Sequence, residues 1–206
     1  MKRGSYHHGN LRRALLDAGL ELLAERGVDG FTLREVARRA GVSHAAPSHH
    51  FGDRAGLVRA IVAESFDLLG SALADAASGA GDDPMDRIAA MGLAYVEFAL
   101  EHPQRYRLMF RSELSRSEDP DAATEADAAG GQAFGTLMAA IQDAADRGLL
   151  RDGIDAGAAA VTAWSGVHGL ASLVLEGALG IRPDQRERTR HLADNVVALI
   201  VDGLRR

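Results

Sequence analysis

Apolar residues recur along almost the whole chain every three to four positions, which is the spacing of one face of an α-helix. In the first such segment, Leu11, Leu15 and Leu22 share a face. Alternation of apolar and polar residues, the pattern of a half-buried strand, is not sustained anywhere. We therefore predict an all-α protein of about nine helices. The predicted segments are 10–26, 32–40, 43–50, 53–77, 84–102, 104–114, 132–147, 156–179 and 184–204.

Capping residues and helix breakers set the predicted boundaries. Thr32 and Glu35 have the spacing of a capping box, in which each side chain bonds the amide of the other residue. Asn10, Ser43 and Asp53 are placed to cap the first, third and fourth helices. Residues 115–131 contain Asp-Pro and Gly-Gly pairs, which predict a flexible acidic loop.

The segment Ala156–Leu179 is apolar nearly all round, so it must be covered on two sides. One side can be the core of the subunit and the other a second subunit, whereas the alternative is burial wholly inside a monomer. The last helix carries another apolar stripe, and together these helices predict a four-helix bundle between two copies. The residues predicted at this dimer interface are Val174, Leu192, Val196, Leu199 and Ile200.

Composition limits the classes of protein that the chain can belong to. Hydrophobic residues make up 47% and charged residues 25%, which is ordinary for a globular protein. The absence of cysteine excludes disulfides, thiolate catalysis and cysteine-based zinc sites. Polar residues such as Thr162 and His168 interrupt the most apolar stretch, and we see no signal peptide. We therefore expect a cytoplasmic protein that does not engage a membrane.

Charge is unevenly distributed along the chain. The net charge is −6, yet residues 1–60 contain ten Lys and Arg against six Asp and Glu. Five of the eight histidines also lie in this segment. A basic head on an acidic body is typical of a protein that faces nucleic acid. Ordinary variation of helix surfaces is the alternative.

The strongest motif lies in residues 31–52, where two short predicted helices flank a tight turn at Gly41-Val42. This is the spacing of a helix-turn-helix, whose second helix enters the major groove of DNA. Small and polar side chains on that helix can approach base edges and phosphates. A generic helical hairpin that binds nothing is the alternative. The predicted DNA-binding residues are Thr32, Ser43, His44, Ala45, Ser48, His49, His50 and Arg54.

Residues 31–43 (FTLREVARRAGVS) and the following His49-His50-Phe51 resemble the DNA-binding domain of the TetR family of bacterial repressors. Residues 6–11 (YHHGNL), 102–110 (HPQRYRLMF) and 164–169 (WSGVHG) resemble a subgroup named for a Trp-His-Gly signature. The resemblance implies a DNA-binding domain in residues 1–54 and a regulatory domain in residues 55–206. It further implies a homodimeric repressor that leaves a palindromic operator when a small molecule binds, although activation stays open.

Two positions depart from the family pattern. Ser48 replaces a tyrosine that typically touches a phosphate, and Pro47 precedes it. If Ser43 caps the recognition helix, Pro47 occupies the fourth helical position and should distort that helix. Arg54 stands where the family has a lysine and keeps the charge that binds phosphate.

Large side chains in the middle of the chain predict a mostly apolar pocket, with plain core packing as the alternative. His168 lies four residues after Trp164, so both share a helical face. His168 can be a polar handle for a ligand or a core histidine with a structural partner. The predicted ligand-binding residues are Tyr95, Phe98, Tyr106, Phe110, Phe134, Trp164 and His168.

Two rival functions are an enzyme and a helical protein-interaction adaptor. The chain contains no P-loop, no dinucleotide-binding turn and no metal-binding His-Glu-x-x-His, so we expect no catalytic residue, no cofactor and no metal. An adaptor would need neither the basic head nor the motif at residues 31–52. The expected partners are therefore a double-stranded DNA operator, a second copy of the chain and a small-molecule effector.

Overall fold

The computed structural model describes residues 6–27, 30–111, 124–181 and 185–206. This part of the chain forms nine α-helices and no named strand, which confirms the all-α prediction. The helices are α1 (Tyr6–Arg26), α2 (Leu33–Arg39), α3 (Ala46–Phe51), α4 (Arg54–Gly79), α5 (Pro84–Glu101), α6 (Pro103–Met109), α7 (Glu125–Asp146), α8 (Ala156–Leu175) and α9 (Arg186–Leu204).

Several helix ends differ from the prediction. Helix α1 already includes Tyr6, so Asn10 is not its cap. Helix α6 ends at Met109, and residues 112–114 of the longer predicted helix lie outside the described residues. Helix α8 ends at Leu175 and is followed by a turn rather than continuing to Leu179.

Helix α7 starts seven residues before the predicted position. Thr124 and Asp127 form a reciprocal cap, since the Asp127 amide donates to Thr124 Oγ1 at 3.1 Å and the Thr124 amide donates to Asp127 Oδ2 at 2.9 Å. The Gly130-Gly131 pair therefore lies inside a helix and does not break it. A Cβ at Gly130 would lie 3.5 Å from the Phe66 ring, an ordinary van der Waals distance, so the packing of α4 on α7 at this point does not require a glycine.

The chain divides into two compact units, residues 1–65 with 107–128 and residues 66–106 with 129–206. In the first unit α2 packs on α1 and α3, around buried side chains such as Leu15, Val36 and Ile61. In the second unit α5, α8 and α9 pack against one another. Each unit thus has a core of its own. The functional division after residue 54 stays a prediction.

Helix α8 is the most apolar helix of the chain. By length and composition alone it could cross a membrane, with a mean hydropathy of 1.4, so the polar residues that interrupt this stretch do not make it too polar for a span. However, the helix packs against α5 and α9, and side chains such as Val167 and Val174 are buried there. Its apolar composition is therefore that of a core helix.

Candidate functional sites

The helix-turn-helix begins with the predicted capping box. The Glu35 amide donates to Thr32 Oγ1 at 3.3 Å, and the Thr32 amide donates to Glu35 Oε2 at 2.9 Å. The Thr32 hydroxyl also donates to the same carboxylate, at 3.0 Å. These bonds satisfy amides that the first turn of α2 would otherwise leave unpaired. Thr32 is thereby held at the exposed start of α2.

The recognition helix α3 starts later than predicted, and this changes the role of Pro47. Ala45 is the cap and Ala46 the first helical residue, because Ser43 and His44 lie in the preceding turn. Pro47 therefore stands in the first helical turn, where a proline has no required amide hydrogen bond to lose. The predicted distortion is wrong, and Pro47 is instead the buried residue of α3.

The predicted DNA-contacting residues lie along one short stretch of the first unit. Ser43, His44, Ala45, Ser48 and His49 are exposed, whereas His50 and Arg54 are half-buried. The ring of His50 packs against Phe51, and the guanidinium of Arg12 lies 5.7 Å from the centre of the Phe51 ring. Phe51 thus anchors the end of α3 while its outer side chains stay accessible.

Two ion pairs of the head were not evident from sequence. The guanidinium of Arg39 bonds both carboxylate oxygens of Glu25, at 2.7 and 2.8 Å. Arg26 bonds Glu35 at 2.7 Å. The hydrogen bonds from these arginines hold the pKa of Glu25 and of Glu35 below the ordinary value. These two ion pairs join α2 to α1. Part of the positive charge of residues 1–60 therefore stabilises the packing of these helices.

Asp53 caps helix α4 as predicted. Its Oδ1 accepts from the Gly56 amide at 2.7 Å. Arg54 is the first residue of that helix and directly follows the turn after α3. The cap therefore fixes the position of Arg54 relative to the recognition helix.

In the second unit, four of the predicted ligand-binding residues and Ser172 form a polar cluster, which we call the Tyr-His cluster. Its members are Tyr95, Tyr106, Trp164, His168 and Ser172. The hydroxyls of Tyr95 and Tyr106 each lie 2.9 Å from His168 Nδ1. Tyr106 also donates to the His168 carbonyl at 3.0 Å and lies 3.1 Å from Ser172 Oγ. Trp164 Nε1 donates to the Tyr95 hydroxyl at 3.4 Å.

Burial shifts the titration of this cluster toward uncharged forms. Tyr95 and Tyr106 are 4% and 3% exposed, and burial raises the pKa of both phenols. Burial also lowers the pKa of the half-buried His168. The cluster is thus neutral near pH 7, with donors and acceptors but no formal charge.

The remaining predicted ligand-binding residues lie differently. Phe134 packs on the Trp164 ring, with centroids 5.8 Å apart, and so extends the cluster. Phe98 is buried, and the centre of its ring lies 5.0 Å from that of the tilted His102 ring. Phe110 belongs to the first compact unit. Ser172 was missed, although its position four residues after His168 would have placed it on the same helical face.

Helices α8 and α9 also carry an exposed apolar surface, as the sequence suggested. A groove of about 740 Å³ runs between them, and Leu199, which helps to line it, is 73% exposed. Val196 and Ile200 line the groove, and Leu192 is half-buried on the same helix. Val174 is 0% exposed. Because its side chain is fully buried within its own chain, Val174 cannot also face a second copy, and its predicted place at the interface is wrong.

These features define a class of protein, an all-helical DNA-binding regulator with an N-terminal helix-turn-helix. Comparison with known proteins gives the same class. A family model described as "Bacterial regulatory proteins, tetR family" matches residues 15–61. Another, described as "Tetracyclin repressor-like, C-terminal domain", matches residues 88–196, more than half of the chain. The chain therefore belongs to the TetR family of DNA-binding transcriptional regulators.

Individual relatives agree with this assignment. The HTH-type transcriptional regulator BetI of Rhizobium meliloti is 35% identical over 113 residues, which covers 52% of this chain and 54% of that protein. The chain thus spans about half the length of the curated relatives it matches. A solved structure of a protein of unknown function from Rhodococcus sp. RHA1 is 35% identical, with a TM-score of 0.80 over 99% of this chain and 100% of that one.

A third comparison concerns the fold alone. The transcriptional regulator FadR from Bacillus subtilis, solved in complex with stearoyl-CoA, has a TM-score of 0.75 and 14% identity. The match covers 93% of this chain and 98% of FadR.

Proposed function

We propose that the chain is a repressor that binds a palindromic operator as a homodimer and is released by a small, largely apolar effector. The observation that carries the DNA-binding part is the exposed row Ser43, His44, Ala45, Ser48 and His49 at the leading end of α3. Side chains at the N-terminal end of a recognition helix are those that reach base edges. We assign this role to residues 1–54 and the regulatory role to residues 55–206.

The positions of residues in the helix-turn-helix suggest which of them contact bases and which contact phosphates. His44 and Ala45 lie in the turn that opens α3, which favours contact with base edges. Thr32, Ser48, His50 and Arg54 are assigned to phosphates, which take contacts from hydroxyl, imidazole and guanidinium groups. Ser43 and His49 complete the proposed surface.

Dimerisation is proposed through the groove between α8 and α9. Among the described residues, Leu199 is the most exposed large apolar side chain, and Val161 on α8 is 50% exposed. Covering such side chains with the same surface of a second copy removes them from water. A two-fold dimer also matches the two half-sites of a palindrome.

Effector binding is proposed at the Tyr-His cluster, where aromatic rings surround a few convergent polar groups. FadR from Bacillus subtilis, which shares the helical fold, was solved in complex with stearoyl-CoA, a ligand with a long apolar chain. We also propose the Trp-His-Gly subgroup as the finer assignment, because residues 164–169 (WSGVHG) carry its signature. Cytoplasmic location accords with an operator as target.

The direct test is selection of bound sequences from a random DNA pool, followed by gel-shift titration at several salt concentrations. We expect an enriched sequence with two inverted half-sites about one helical turn apart, or a multiple of it. Affinity should fall steeply with salt because phosphate contacts release counterions. Recovery of no enriched sequence at moderate salt would disprove the proposal.

A further inference from the structure

The arginines of the first unit differ in what surrounds their charge. Three of them, Arg13, Arg26 and Arg39, lie 2.7 to 3.5 Å from carboxylates in ion pairs. Arg12, on the exposed side of α1, forms no ion pair with any residue that the structure describes. The residues three and four positions away from Arg12 on either side are not acidic, whereas Arg13 has Asp17 one turn further on.

The guanidinium of Arg12 is held by an aromatic ring instead of an acid. It lies 5.7 Å from the centre of the Phe51 ring, which is within the range of a cation–π contact. The ring carries no formal charge, so the positive charge of Arg12 is not neutralised. A guanidinium presents its N–H donors in a planar fork that suits the oxygens of a phosphate.

Phe51 places this charge beside residues that we assign to DNA. It is the last residue of α3, and its ring centre lies 6.0 Å from that of His50, one of the proposed phosphate contacts. Arg54, another proposed phosphate contact, begins α4 three residues later. Asp53, the acid between them, is the cap of α4. Arg12 therefore lies at the end of the recognition helix where phosphate contacts are already expected.

We propose that Arg12, although it belongs to α1 and not to the helix-turn-helix, binds a phosphate of the operator and is held in position for this by Phe51. The proposal rests on the DNA-binding function proposed above. A phosphate is the expected target, because the ring contact holds the guanidinium at the end of α3 opposite to His44 and Ala45, the proposed base readers. The same contact restricts the side chain before binding, which lowers the entropic cost of ordering it on DNA.

Salt titration of Arg12→Met tests this role on the full chain. Methionine removes the charge but keeps a flexible apolar side chain that can still pack on Phe51. We expect the slope of log K against log salt concentration to become shallower by about 0.9 for each subunit bound. Binding at about 0.1 M salt should weaken about fivefold to tenfold per subunit. The losses should be equal on selected operator and on random DNA, because phosphates carry no sequence information.

Arg13→Met is the matched control. It removes the same charge from the neighbouring position of α1, but Arg13 already pairs with Asp17 at 3.5 Å and Glu64 at 3.8 Å. We expect less than half of the change in slope that Arg12→Met gives. An equal change in both variants would mean that total charge and not a contact of Arg12 sets the slope, and would overturn the proposal.

Arg12→Lys and thermal unfolding separate phosphate binding from a purely structural role. Lysine restores the positive charge, so its salt slope should stay close to that of the wild type. If Arg12 only fastened α1 to α3, Arg12→Met would lower the unfolding temperature and leave the salt slope unchanged. That result would exclude the proposed phosphate contact.

The wild-type titration distinguishes this proposal from the wider one. If the wild type binds its selected operator with a steep salt dependence and Arg12→Met keeps the same slope, the regulator role stands and the Arg12 proposal falls. If the wild type binds no DNA, the proposed function itself falls.

Discussion

His168 is half-buried, and two phenol hydroxyls lie within hydrogen-bond distance of one of its ring nitrogens. Both hydroxyls lie 2.9 Å from Nδ1, and Trp164 packs on the ring. Burial lowers the pKa of His168 from its ordinary value of 6.5. The folded state therefore favours the neutral imidazole, so protonation of His168 lowers the free energy of unfolding.

This gives a prediction for the pH dependence of stability. Because the pKa of His168 is lower in the folded than in the unfolded chain, the unfolded chain takes up more protons as pH falls below 6.5. The contribution of the neutral imidazole to the free energy of unfolding is fully present above pH 6.5 and declines as the pH falls below it. Urea unfolding from pH 8 to pH 5 should show the wild type losing more stability than His168→Gln.

The control for this experiment is His191→Gln, because His191 is exposed on α9. It should follow the wild-type curve. Parallel loss of stability in wild type and His168→Gln across the whole pH range would contradict a role for His168 in this dependence.

Another residue-scale prediction divides base reading from phosphate binding. His44→Ala should change the preference at one base position, because a base contact discriminates between sequences. Arg54→Ala should weaken binding to all sequences and lower the salt slope by about one, because it removes one phosphate contact. Gel shifts with specific and random DNA measure both effects. Equal losses on both DNAs for both variants would contradict the division.

At the scale of elements, the close packing of α5, α8 and α9 depends on a glycine. A Cβ at Gly92 would lie 3.0 Å from Val197 Cγ2 and 3.4 Å from Val167 Cγ1. Valine side chains have few alternative rotamers, so neither neighbour can turn away easily. Gly92 thus sets how closely the three helices approach.

We predict that Gly92→Ala destabilises the protein. Overpacking costs about 1–3 kcal/mol, and the better helix propensity of alanine returns at most about 1 kcal/mol. Urea unfolding at fixed protein concentration should show a net loss of about 1 kcal/mol. The double variant with Val197→Ala should lose less than the sum of the two single changes, because it relieves the same clash.

Gly135→Ala is the matched control, since a Cβ there meets no atom within 4 Å. It should stabilise the protein by about 0.5–1 kcal/mol through helix propensity alone. If Gly92→Ala were as stabilising as Gly135→Ala, the close contact would not constrain the helices.

At the scale of the whole molecule, the question is which surface meets a second copy. The groove between α8 and α9 is lined by Val196, Leu199 and Ile200. Leu199 stands well out of the subunit, whereas Val174 lies inside it. A charge at Leu199 therefore tests the proposed interface without disturbing the core, which a charge at Val174 could not do.

We predict that Leu199→Glu yields a monomer that no longer binds the operator tightly, although its helix-turn-helix is intact. An unpaired carboxylate in a closed apolar interface typically costs several kcal/mol. Sedimentation and gel shift measure the two effects. Ala139→Glu, which adds the same charge at an exposed position of α7, should stay dimeric. A wild-type chain that sediments as a monomer at micromolar concentration would contradict the dimer proposal.

The sequence by itself determined the elements that depend on local chemistry. Apolar periodicity predicted helices throughout, the Thr32–Glu35 spacing predicted a capping box, and Asp53 was predicted to cap α4; all three are confirmed. Such features involve residues three to four positions apart, so the contacts that stabilise them are visible in the order of the chain.

The tertiary structure decided whatever depends on distant residues. Gly130 and Gly131 were predicted to break a helix, but the helix that starts at the Thr124 cap runs through both of them. Val174 was predicted at the interface because apolar character alone does not show whether a side chain is covered by its own subunit or by a second one. The meeting of Tyr95 and Tyr106 at His168 joins residues more than sixty positions apart. Only folding brings these groups together, because hydrogen bonds between them require specific distances that no local pattern specifies.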